Sequence, residues 1–126
     1  MKNIGIALVF FGVVFSTQLR GQVLVNSTSV QALTTEIFNN DFYGPLTYIV
    51  PAGNLLVITN GKFTMQNPSG VFVGWLKINE ISVLAPSGYA TVNQTDLNIV
   101  ANPGDVLKYV CTGYGSAVIN GYLIVQ

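Results

Sequence analysis

Among its 126 residues the chain has no histidine, one cysteine and five acids, Glu36, Asp41, Glu80, Asp96 and Asp105. Without an imidazole there is no zinc site of the Cys/His kind, no Ser-His-Asp triad and no histidine acid-base pair. Serine and threonine therefore lack the usual base that would activate them. Two carboxylates could in principle cleave a glycosidic bond, but no spacing brings two together, and so small a domain offers little depth for a cleft. Asp41, Asp96 and Asp105 stand near Asn39, Asn40 and Asn98, yet no ordered D-x-D-x-D-G ligand run appears, so they read as turn formers rather than calcium ligands. The sequence predicts no enzyme, no metal and no cofactor.

Recognition is the better use of these side chains. Trp75, Tyr43, Tyr89, Tyr114 and Tyr122 could stack on a sugar ring, or they could pack the core or a subunit interface. Trp75, between Val73 and Lys77, suits either role. "CTGYGSAV" is a two-glycine loop that exposes Tyr114. The ligand-binding candidates are accordingly Trp75, Tyr89 and Tyr114, and the interface candidates are Val71, Val73 and Trp75. Cys111 has no internal partner, so it is a buried thiol or a link between chains. Strand alternation puts Leu107 and Tyr109 on its face, which favours burial. Asn26-Ser27-Thr28 and Asn93-Gln94-Thr95 match the glycosylation acceptor pattern.

The elements that must carry these residues are strands. No window keeps an apolar helical stripe, and the best attempt, 29–38, is rich in Thr and Val. β-rich runs recur near 23–26, 30–37, 46–50, 54–59, 62–66, 70–78, 80–84, 88–93, 97–100, 105–111 and 116–125, with turn residues between them. Asn60-Gly61 suits a two-residue hairpin turn, which would pair Ile58 with Phe63 and Leu56 with Met65. A bulge within one long strand is the alternative. The run "GVFVGWLKI" is apolar on both faces, as in a strand covered twice or one whose second face is an interface. "PAGNLL" and "NPGDVL" place Gly53 and Gly104 in similar turns that read as corners.

The start of the chain has the layout of a secretory leader: Met1-Lys2, an apolar run from Ile4 to Phe15, then Ser16-Thr17-Gln18. Cleavage after Ser16 or Gly21 is allowed, and Gly21 is preferred. The expected organisation is a signal peptide at 1–21 and one domain at 22–126. The mature domain keeps three lysines against five acids, a net charge of about −2, with no basic patch for nucleic acid. So little net charge resists self-association poorly.

The "PAGN-L" and "PGDVL" turns, among many short strands, resemble those of small exported bacterial jelly-roll proteins. More distantly they look like cupin and tumour-necrosis-factor/C1q-like domains. Cupin activity would need histidine and acid ligands beside these turns, where this chain has Leu55, Val57, Lys108 and Tyr109. That departure leaves the scaffold alone, and resemblance to the trimeric type implies a homo-oligomer. The expectation is an all-β, antiparallel jelly-roll β-sandwich of about eight to ten strands after an N-terminal signal peptide. Its expected role is that of a secreted or surface structural or interaction protein whose partner is itself. The alternative is a module binding a carbohydrate or small ligand through exposed aromatics. No nucleic-acid partner is expected, and no membrane association after the leader is removed.

Overall fold

The computed structural model describes residues 29–66 and 70–126, all of them strand, turn or loop. The expected leader, the strand at 23–26 and the acceptor Asn26 lie outside the described residues. Ten strands follow in order: β1 (Val30–Phe38), β2 (Thr47–Ile49), β3 (Asn54–Met65), β4 (Phe72–Ile78), β5 (Ile81–Leu84), β6 (Ser87–Gly88), β7 (Thr91–Gln94), β8 (Ile99–Ala101), β9 (Val106–Cys111) and β10 (Gly115–Val125).

They form two antiparallel sheets. Sheet one has the order β1-β10-β3-β7, with β8 continuing the edge beside β7 on β3. Sheet two has the order β2-β9-β4-β5, with β6 beside the start of β4. The inner faces meet as a β-sandwich over a core of Ile37, Leu56, Ile58, Phe63, Leu76, Leu107, Tyr109, Ala117 and Ile119. Tyr109 ties the layers together: its ring lies 5.8 Å from that of Phe63, and its hydroxyl donates to the Thr64 carbonyl across the sandwich at 3.2 Å.

The pattern of alternation explains most of this, and one place where it breaks is informative. In β4, Phe72, Gly74, Leu76 and Ile78 point inward while Val73 and Trp75 are exposed, as period two requires. In β3, however, Leu56 and Ile58 are inside at even positions, and Gly61 and Phe63 at odd ones. The phase changes because Asn120 pairs with Asn60 while Gly121 pairs with Ile58, leaving Thr59 as an extra residue. The hairpin expected at Asn60-Gly61 is therefore corrected. The chain does not reverse there, because β3 runs on as a single strand and absorbs the extra residue as a bulge. A hairpin would also put Ile58 and Phe63 on one face, so the apolar pairing alone could not separate the two. The gap between β7 and β8 lies opposite this bulge, where the Leu97 amide donates to the Thr59 carbonyl at 2.8 Å.

The doubled glycine turn also has a definite form. The Asn54 amide donates to the Pro51 carbonyl at 3.1 Å, and the Asp105 amide to the Asn102 carbonyl at 3.0 Å. Gly53 and Gly104 sit at the third position with φ of +78° and +84°, the signature of a type II turn. The two turns are neighbours. The Gly104 amide donates to the Val50 carbonyl at 2.8 Å, and the Val50 amide to the Asp105 carbonyl at 3.0 Å. They are paired corners at one end of the sandwich.

Candidate functional site

The opposite end carries the aromatic loops. Phe42 and Tyr43 lie in the β1–β2 loop and Tyr114 in the β9–β10 loop. Their rings form a chain, with Phe42 to Tyr43 at 5.3 Å edge-on and Tyr43 to Tyr114 at 5.5 Å. All three are exposed, Phe42 most of all at 85%. Asn39 fixes the two loops together. Its Nδ2 donates to the Gly113 carbonyl at 2.6 Å and to the Cys111 carbonyl at 3.1 Å, and its Oδ1 accepts from the Gly115 amide at 2.7 Å. One asparagine thus bridges donors and acceptors of a loop more than seventy positions away in sequence, which is how Tyr114 is held beside Tyr43.

Tyr89, 72% exposed, belongs to the same end of the molecule but to another loop. The Met65 amide donates to the Ala90 carbonyl and the Gln66 amide to the Tyr114 carbonyl, so the loops of Tyr89 and Tyr114 both border the end of β3. Trp75 is elsewhere, within β4 on the outer face of sheet two. Among the described residues the ring pairs join neither Trp75 nor Tyr89 to the Tyr43–Tyr114 group. The three aromatics singled out from sequence thus do not form one platform. Tyr114 instead has Phe42 and Tyr43 as companions, which the sequence could have suggested only through the adjacent pair Phe42-Tyr43 in a polar loop.

Val71, Val73 and Trp75 are all exposed on one side of β4 and its lead-in, with Val110 of β9 directly opposite Trp75. The next row along is polar: Lys77 faces Lys108, and Lys108 pairs with Glu80 at 2.8 Å. That hydrogen bond and charge hold the Glu80 carboxyl below its ordinary range.

Sheet one has a second apolar surface on its outer face. Ala32 faces Tyr122, Tyr122 faces Val57 and Val57 faces Val100, one row across four strands. Beside it Val30 faces Ile124, which faces Leu55. Tyr122, Val100 and Val30 are exposed, and the others range from half-buried to exposed. A polar ladder bounds this patch, with Thr34 Oγ1 donating to Asn120 Oδ1 at 2.7 Å and Asn120 Nδ2 to Asn60 Oδ1 at 2.9 Å. No single stretch of sequence contains this surface, because each strand contributes only one or two members.

Cys111 is buried at the end of β9, and its burial pushes the thiol up from its ordinary range. Of the two readings of this cysteine, the structure has the buried one. Among the described residues no three of Asp, Glu, Cys or His gather as a metal group. Asp105 is engaged structurally, Oδ1 accepting from Asn79 Nδ2 and Oδ2 from the Asn102 amide, both at 2.8 Å. No protein-family model matches the sequence, and no curated protein matches it.

Proposed function

We propose that this is an exported, non-catalytic structural or interaction protein that associates with copies of itself. The observation that carries this reading is the pair of apolar outer faces. A sandwich needs one apolar face per sheet, and this chain has two. Side chains such as Trp75, Tyr122 and Val100 contribute nothing to the inner core, yet Trp75 lies beside Val110, and Tyr122 and Val100 belong to one row across four strands. Low net charge removes the repulsion that would keep such rows apart. Export rests on the leader-like first residues. The alternation of strands between sheets, in the orders β1-β10-β3-β7 and β2-β9-β4-β5, supports the jelly-roll reading of the scaffold. Replacing exposed Trp75 by lysine should leave the monomer folded and lower the mass seen by light scattering. An unchanged mass removes sheet two's outer face as an interface.

The aromatic loop end favours a second reading, a module binding a glycan or small ligand. Tyr43 and Tyr114 form a preorganised pair of exposed rings, the geometry that stacks on a flat sugar face. A glycan array would show signal lost in both Tyr43→Ala and Tyr114→Ala. Absence of any glycan signal with the unaltered protein removes this reading.

A further inference from the structure

Four strand edges bound the two sheets, and three of them are blunted. On sheet two, β2 has three residues, and β5 has four and is bulged at Val83. The far edge of sheet one is split into β7 and β8, with Asp96 between them at a φ of +56°. Short, bulged and interrupted edges are how proteins prevent edge-to-edge pairing. β1 is different. It is nine residues long, keeps one unbroken register with β10, and contains no proline, lysine or bulge.

Which backbone groups of β1 face outward follows from its hydrogen bonds. The Ser29 carbonyl accepts from the Val125 amide and the Asn39 amide donates to the Gly115 carbonyl, so odd-numbered residues bond toward β10. Even-numbered residues turn theirs the other way. Phe38 shows this by donating outward to the Pro45 carbonyl at 2.8 Å. The amides and carbonyls of Val30, Ala32, Thr34 and Glu36 consequently line an edge that has no partner strand among the described residues, and all four residues are exposed.

We infer that this edge pairs with β1 of a second copy, antiparallel about a two-fold axis at Thr34. The inference rests on the self-association proposed above and names its surface. An edge offering alternate donors and acceptors is self-complementary when reversed, so an identical strand satisfies it. Centring on Thr34 uses the open stretch from Ala32 to Glu36 and leaves out Phe38, whose outward amide is held by the Pro45 carbonyl. Ala32 then faces Glu36 of the other copy, and the two Glu36 carboxylates stay apart. Thr34 meets Thr34, a favourable cross-strand pair. The polar ladder Asn60–Asn120–Thr34 continues into its own symmetry mate, and the two five-stranded sheets become one.

The test uses the mature chain with Thr34→Pro. Proline removes an amide that points away from β10, so the monomer loses no ladder bond, only the exposed Thr34 hydroxyl bond to Asn120. It should keep its circular dichroism, with at most a small drop in thermal midpoint. Sedimentation should show the dimer weakened at least about tenfold, from the lost edge hydrogen bonds. A second variant, Thr34→Cys, should form a disulfide-linked dimer on mild oxidation, whereas Glu36→Cys should not. If the unaltered protein associates but Thr34→Pro associates equally well, the edge inference is wrong and self-association stands. If the unaltered protein stays monomeric, both fail.

Discussion

Gly74 shows how much a single residue can decide. It faces inward in β4, and a methyl group there would run into the ring and hydroxyl of Tyr109. Gly74→Ala is overpacking against a fully buried ring, so a loss of about 1–3 kcal/mol is expected in urea unfolding. An unchanged midpoint would mean that Tyr109 has another place to go. The same corner of the core sets the response to alkali. Burial raises both Cys111 and Tyr109, the latter well above the usual phenol range. Each is thus harder to ionise when folded than when unfolded. Stability from these groups is complete below their ordinary values of about 8.5 and 10, and it is lost as pH rises beyond them. Urea midpoints should hold steady at neutral pH and fall in the alkaline range, and Cys111→Ala should remove the earlier part of that fall. A thiol reagent should leave Cys111 unmodified until the protein unfolds.

β3 is the element on which sheet one depends, since β10, β7 and β8 all bond to it. Its single extra residue, Thr59, lets Ile58 and Phe63 both point inward although they are five positions apart. Deleting Thr59 would leave Ile58, Asn60 and Gly61 consecutive opposite Gly121, Asn120 and Ile119, so plain alternation keeps Leu56, Ile58, Gly61 and Phe63 all inside. That variant should straighten β3, keep cooperative unfolding and lose only the bonds of Thr59 with Leu97 and Asn120, about 1 kcal/mol each. A loss of cooperative unfolding would contradict the bulge. Strand locations were largely legible in the sequence, because period-two alternation and turn residues are local signals. The hairpin and the bulge at Asn60-Gly61 were not separable, because both give the same apolar pairing and only β10 decides. The apolar character of 70–78 was likewise visible, including the outward Val71, Val73 and Trp75. The row Ala32–Tyr122–Val57–Val100 was hidden, since it exists only once four distant strands lie side by side. The contact of Tyr43 with Tyr114 depends in the same way on Asn39 reaching across to Gly113 and Gly115.

At the scale of the whole molecule, the chemistry is arranged by region. Paired type II turns and the Asn79–Asp105 hydrogen bond close one end. Exposed aromatic loops occupy the other, and apolar residues bordered by polar rows lie on both outer faces. Such a molecule has a core sufficient for a domain, and its described residues leave further apolar surface exposed. The proposed self-association rests on the low charge and on a β1 edge with no partner strand among the described residues. The measurement that bears most directly on this is sedimentation of the mature protein over a wide concentration series. Association into a dimer or larger species is the expected result. A strict monomer at the highest concentration would contradict self-association as the role of this chain.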